Sequence, residues 1–323
     1  MRRRRGSVGL LVVAALVSGG AAACSSPPPS GAGATTAATT AATTTVGAGS
    51  GDVAGKVTVG GRQLYLECHG SGSPTILLQS GYGNGGDIWS AAAAHPPAVA
   101  KALAATNRVC VYDRPGSTLQ VDSNGTPLAT IQPGRSDQVS MPRTSTSLVT
   151  EWHDLLATAG VPGPYLLVGH SIGGLFALLY ARTYPDQVAG LVTVDGTPPA
   201  FARLLKPSAQ ALLKASLKAP SSITGYAFEQ YDLDEILATL SAAPALKAMP
   251  TTLMFAGLPQ QVSDPAAQEF LKDAALVQDQ ARADFAASLP GATTVTVPDA
   301  THYIHVDRPD TVIAAVQAVA AKT

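Results

Sequence analysis

Five residues, Gly169-His170-Ser171-Ile172-Gly173, fit the pattern G-x-S-x-G. A serine hydroxyl placed this way can attack a carbonyl carbon if the chain turns sharply around it and a base stands within hydrogen-bond reach. The flanking residues suit such a turn. Tyr165 to Val168 is a short apolar run of the buried-strand kind, and Leu175 to Tyr180 continues as an apolar helix. A Cβ at 169 or 173 would crowd the neighbouring strand and helix, so both positions call for glycine. The turn lifts Ser171 to the top of a sheet and aims the Ile172 N–H at the place where an oxyanion would form.

The base is expected at His302, in Thr301-His302-Tyr303-Ile304-His305, just past the last predicted strand, Thr293 to Val297. This histidine lies 131 positions after Ser171 in the chain. His305 is read as seating the helix that follows and His170 as packing. His69, His95 and His153 are read as surface residues.

These segments do not stand alone. Ile76-Leu77-Leu78-Gln79-Ser80-Gly81-Tyr82-Gly83 reads as a strand and a loop. Val109-Cys110-Val111-Tyr112-Asp113-Arg114-Pro115-Gly116 reads as the next strand and its turn. The serine turn follows, then Val188 to Asp195, then the His302 segment. In that order the chain resembles the α/β-hydrolase superfamily over about residues 55 to 320. The resemblance implies a mostly parallel eight-stranded sheet covered by helices on both faces, with a small helical cap inserted at about 198–249. It makes the Tyr82 N–H the second oxyanion donor. It places the triad acid after the sixth or the seventh strand. Asp195 ends the sixth and is favoured. Asp264 follows the seventh after a longer gap and stays open. Asp299 shares the loop of His302 and is too close in sequence to reach its far ring nitrogen. Two departures stand out: Thr118 replaces a usual glycine, and Ser80 replaces a histidine common in relatives.

The implied activity is an exported serine hydrolase that cleaves carboxylic esters through an acyl-enzyme on Ser171. A proline-type aminopeptidase on the same fold is the rival; it needs a carboxylate in the cap, and Glu229, Asp232, Asp234 and Glu235 are candidates. A non-catalytic hydrolase-fold binding protein is the other alternative. Epoxide hydrolases and haloalkane dehalogenases are disfavoured, because their nucleophile is Asp. No cofactor is implied, and no metal, since no Cys/His cluster has ligand spacing.

Composition bounds the rest. The chain has 323 residues, 46% hydrophobic and 13% charged, with a net charge of −1. That length supports one sizeable core, and the charge excludes the basic footprint of a nucleic-acid binder. The first 23 residues read as a signal peptide: Arg2 to Arg5, an apolar stretch Gly9 to Val17, then Ala21-Ala22-Ala23. With Cys24 next, this resembles a bacterial lipoprotein signal, which implies a lipidated Cys24 and an anchor on the outer face of the cell membrane; simple secretion is the alternative. Residues 24–52, rich in Ser, Pro, Thr, Ala and Gly, read as a tether too polar to fold. The hydrolase domain is expected over 53–323. Cys68 and Cys110 fall in strands that the resemblance makes neighbours, so a disulfide is expected in an oxidising compartment. The partner is expected to be a small ester with an apolar acyl or alcohol part.

Overall fold

The computed structural model describes residues 51–91, 97–219 and 223–323. The expected signal peptide, Cys24, all but the last two residues of the tether, and His95 lie outside the described residues. Gly51 and Asp52, assigned to the tether, are held by the domain: the Gly51 carbonyl accepts from Arg108 (3.1 Å) and Asp52 accepts from the Gly70 N–H (2.9 Å).

Eight strands form one sheet: β1 (Val53–Val59), β2 (Arg62–His69), β3 (Thr75–Gln79), β4 (Val109–Tyr112), β7 (Tyr165–His170), β8 (Val188–Val194), β9 (Thr251–Ala256) and β10 (Thr293–Val297). Their spatial order is β1-β2-β4-β3-β7-β8-β9-β10. β1–β2 and β2–β4 pair antiparallel, and every later pair is parallel. The central strands are buried from end to end, because helices cover both faces. That is why they read as apolar runs rather than as alternation. One face packs Trp152, Phe176 and Tyr180 from α2 (Ser145–Thr158) and α3 (Ile172–Thr183). The other packs Trp89, Val99, Leu103, Val312 and Val316, beneath α1 (Val99–Leu103) and α8 (Pro309–Ala320).

Residues 117–143, rich in Gly, Pro, Ser and Asp, contain a separate two-stranded antiparallel pair, β5 (Thr118–Val121) with β6 (Pro127–Pro133). It explains Thr118. The Thr118 N–H and hydroxyl both donate to the Gly83 carbonyl, at 2.9 and 2.7 Å, so the side chain ties the hairpin to the loop after β3.

Residues 198–249 carry α4 (Phe201–Leu204), α5 (Pro207–Ser216) and α6 (Leu233–Ala242). With α7 (Pro265–Ser288) they stand over the C-terminal ends of β7 to β9, the end of a parallel sheet where ligands bind. Cys68 and Cys110 face each other in the β2–β4 register and form a disulfide. Among the described residues no helix is long and apolar enough to cross a membrane.

Candidate active site

Ser171 joins β7 to α3 with φ 55° and ψ −127°, a backbone conformation that non-glycine residues rarely adopt. Such a residue costs about 1–3 kcal/mol and persists only where its surroundings hold it. Here the Ser171 N–H donates to the Val194 carbonyl (3.2 Å), and its own carbonyl accepts from Thr197 and Gly174, both at 3.0 Å. The two glycines stand where backbone crosses backbone. A Cβ on Gly169 would lie 2.7 Å from the Gly174 Cα; one on Gly173 would meet the Ser80 carbonyl and lie 2.6 Å from that of Gln79.

Asp195 follows β8, also with positive φ (42°). Its Oδ2 stands 2.7 Å from His302 Nδ1. Its Oδ1 accepts from the Ala256 N–H (3.0 Å) and from Arg282 Nη2 (3.3 Å) on α7. Burial alone would raise the Asp195 carboxyl; the hydrogen bond and charge of His302, the Ala256 N–H and the Arg282 guanidinium outweigh it and hold the group below its ordinary value. The acid is therefore ionised, and Nε2 is the His302 nitrogen left to face a substrate.

The His302 loop is braced from below. His170 Nε2 donates to the His302 carbonyl (2.9 Å), and Thr301 donates from its N–H and hydroxyl to Asp307 (2.8 and 2.6 Å). The rings of His170 and His302 lie 4.6 Å apart, and those of His170 and His305 4.5 Å apart. Burial pushes His170 well down and His305 down to about 3, with the charge of His302 pushing the same way, so both rings are neutral. His170 does more than pack, since it also carries the backbone of His302.

Gly81 and Tyr82 lie against the serine: a Cβ on Gly81 would sit 3.2 Å from Ser171 Cβ. Ser80, where relatives often have histidine, donates to the Gly85 carbonyl (2.8 Å) and accepts from Trp89 Nε1 (3.1 Å). It shapes the loop from inside. The Tyr82 ring reaches up to the Ser216 carbonyl at the end of α5 (3.1 Å).

A cavity of about 600 Å3 joins these groups. Tyr82, Ser171, Ile172, Asp195 and His302 line its floor. Leu213, Leu217, Leu233, Leu237 and Phe270 line its roof. The volume suits a small organic ligand with one polar end.

Several expected residues lie elsewhere. Asp264 caps α7, accepting from the Ala267 N–H (2.8 Å), and does not meet His302. None of the four acids considered for a free amine lines the cavity. Glu229 is fully buried against Arg114. Asp232 caps α6 and pairs with Lys218 (2.8 Å). Asp234 pairs with Lys214 (2.7 Å) on the surface, and Glu235 accepts from Ser145 (3.0 Å). Paired and absent from the cavity wall, they are not available to the role the aminopeptidase reading gave them. His69 is half exposed between Asp52 and Glu67, while His153 stacks on Tyr184 and is only partly exposed. Arg282 went unnoticed because an arginine on a long, largely polar helix reads as solvated.

The family whose model matches the chain is described as the alpha/beta hydrolase family, over residues 68–315. A pimeloyl-[acyl-carrier protein] methyl ester esterase of Chromobacterium violaceum is 34% identical over 203 residues, covering 61% of this chain and 66% of that protein. A RutD protein of Azorhizobium caulinodans, named for carbamate hydrolysis, is 33% identical over 137 residues, covering 42% of each chain. The match thus spans under half the length of that relative. Among solved structures, the haloalkane dehalogenase DatA of Agrobacterium tumefaciens C58 superposes with a TM-score of 0.54 at 15% identity, over 84% of this chain and 98% of that one. At that identity the likeness is one of fold alone.

Proposed function

This chain belongs to the alpha/beta hydrolase family, and we propose that it is a serine hydrolase that cleaves small carboxylic esters at Ser171. The observation that carries the reading is the 2.7 Å contact between His302 Nδ1 and Asp195, beside a serine held at positive φ on the floor of one cavity. Esterase and hydrolase relatives support it.

The chemistry follows from the placement. His302 Nε2 takes the Ser171 hydroxyl proton as Oγ bonds to the ester carbon, and the carbonyl electron pair becomes an oxyanion. The N–H groups of Ile172 and Tyr82 receive that charge. Asp195 holds the tautomer and stabilises the imidazolium. As the tetrahedral species collapses, the bond to the alcohol oxygen breaks and His302 protonates the leaving alkoxide. Water then attacks the acyl-enzyme, giving its proton to His302. Carboxylic acid leaves, and Ser171 regains its proton. The roof helices between β8 and β9 act as a cap over an apolar acyl or alcohol group.

Ser171→Ala tests the reading. Ester turnover should fall by about 10³-fold or more, and fluorophosphonate labelling should vanish, with the fold intact. Retained turnover would overturn the assignment.

The reading extends to location. An exported, lipid-anchored enzyme is supported by the Arg2–Arg5 run, the apolar stretch after it and Cys24; the Cys68–Cys110 disulfide suits an oxidising compartment. The full chain should partition into detergent and Cys24→Ser should not. A wild type found free in the medium would refute the anchor.

A further inference from the structure

The floor contains a buried ion pair to which the mechanism above gives no task. Arg114, after β4, and Glu229, between α5 and α6, are both fully buried. Arg114 Nε and Nη2 donate to the two Glu229 oxygens at 3.0 and 2.8 Å. The remaining guanidinium N–H groups do not face solvent. Nη1 donates to the Ser80 carbonyl (2.7 Å) and to Gln79 Oε1 (3.1 Å); Nη2 donates to the Gly81 carbonyl (2.6 Å). Glu229 closes the ring by accepting from the Gly83 N–H and from the Tyr231 hydroxyl (2.7 Å). The pair therefore grips the backbone on both sides of Tyr82.

From this geometry we propose that Arg114, held by Glu229, is a positioning residue that aims and polarises the Tyr82 N–H for the oxyanion. The proposal rests on the reading of Ser171 as nucleophile and Tyr82 as an oxyanion donor. A trans amide carries its C=O and N–H on opposite sides. The Gly81 carbonyl and the Tyr82 N–H belong to one amide. With the carbonyl turned onto the guanidinium, the N–H is turned to the other face of the loop. Ser171 lies against Gly81 and shares the cavity with Tyr82. A charged donor on the carbonyl also draws electron density along the amide, and chained hydrogen bonds strengthen one another at low dielectric. The Tyr82 N–H becomes a fixed and stronger donor, which is what stabilisation of a developing charge requires.

A staple for stability alone is the competing account. Buried ion pairs are poor staples: apolar replacement of both partners is often neutral or stabilising. The two accounts therefore separate in experiment. Arg114→Lys keeps the charge but loses the planar fork that serves five acceptor oxygens at once. The paired Arg114→Met and Glu229→Met variant removes both charges without leaving one alone. Each is compared with wild type for kcat and KM on p-nitrophenyl butyrate, for inhibition by an alkyl boronic acid that forms a tetrahedral adduct with the serine, and for thermal midpoint. Ser171→Ala is run beside them.

Both variants should lose about 10²–10³-fold in kcat, the range for one oxyanion donor, with KM within about threefold. Boronate affinity should fall by the same factor as kcat/KM. The paired variant should keep its thermal midpoint. Wild-type kcat and boronate affinity in a folded paired variant would overturn the proposal. So would a rise in KM with kcat unchanged, or failure of both variants to fold, which would make the pair a staple. An active Ser171→Ala would instead sink the underlying reading, whatever Arg114 does.

Discussion

The floor and the roof of the cavity are built by opposite means. On the floor the charges are enclosed or nearly so, and each named here is answered. Arg114 and Glu229 are wholly enclosed, and Asp195 receives three hydrogen-bond contacts. On the roof the charges sit in water: Lys206 with Glu269 (3.2 Å), Lys214 with Asp234 (2.7 Å), Lys218 with Asp232 (2.8 Å). Exposed pairs of this kind contribute about 0–1 kcal/mol each. The buried apolar residues joining α4, α5 and α7 in one cluster are few, Leu205, Ala209 and Ala274. Leu276 on α7 is 83% exposed. A part that must not move is held by directional bonds in a dry place. A part that must admit different chains is held by shallow apolar contact. Floor substitutions should therefore act on kcat and roof substitutions on which substrate is preferred.

The largest effect expected from breaking this contrast is at the acid. Asp195→Asn keeps the shape but favours the wrong imidazole tautomer, a change of about 10⁴-fold in kcat where it has been measured in a serine protease. Asp264→Ala removes only a helix cap and should cost about 1 kcal/mol of stability with kcat unchanged. Steady-state kinetics and urea unfolding on both variants decide it. A large rate loss at Asp264 with Asp195 nearly silent would move the acid to the roof side.

The disulfide separates floor stability from floor geometry. Cys68 and Cys110 are 42 positions apart and sit in β2 and β4, the strand that leads to Arg114. The paired Cys68→Ser and Cys110→Ser variant should lose about 4 kcal/mol by chain entropy. Its kcat at low temperature should stay within about twofold, because the covalent link holds no group that faces the substrate. A large kcat loss in the folded variant would mean that the loop after β3 depends on strand anchoring more than on its hydrogen bonds.

Much of this was legible in the sequence, and the illegible part has a common cause. β3, β4, β7 and β8 read correctly because strands buried on both faces are continuous apolar runs. Ser171 was legible because two glycines and a strand-to-helix change surround it. His302 and Asp195 stood at strand ends in the right chain order. The β5–β6 hairpin was not legible, since its residues are those of loops and contacts with distant residues such as Gly83 and Asp87 order them. Nor was the Arg114–Glu229 pair: the partners lie 115 positions apart and neither belongs to a periodic element. Glu229 in fact suggested the wrong role, a free carboxylate in a cap. Pattern reports which residues are buried; it does not report which distant charge meets which.

Histidines give the floor a pH signature that the roof lacks. His305 is buried with both ring nitrogens unpaired and is pushed down to about 3 by burial and by the charge of His302. The unfolded chain takes up this proton near pH 6.5, while the folded chain refuses it down to about 3. Stability from this group is whole above 6.5 and is lost as pH falls, at about 1.4 kcal/mol per unit within the window. Asp87, pushed up to about 6 by burial, acts with the opposite sign but is common to any His305 variant. The readout is therefore the difference in urea-unfolding free energy between wild type and His305→Leu at pH 7, 5.5 and 4.5. The difference should move in favour of the variant as pH falls. A constant difference would mean that the site admits the proton or water.

The smallest expected effect is on the roof, and it tests the contrast most directly. Leu237 lies on α6 and lines the roof of the cavity. Leu237→Trp adds bulk to a space of about 600 Å3. A pocket that holds the acyl chain should then discriminate by length. Each methylene that no longer fits loses burial worth about 0.8 kcal/mol, and forced packing costs about 1–3 kcal/mol. Across a p-nitrophenyl series from acetate to octanoate, kcat/KM should be near wild type at acetate and about 10–200-fold lower at octanoate. The acetate value is the control, since a two-carbon chain stays near Ser171 and never reaches the roof. A uniform loss along the series would show that the roof steers the floor, and the division of labour would fail. Equal rates throughout would place the acyl chain elsewhere and leave Leu237 facing the alcohol.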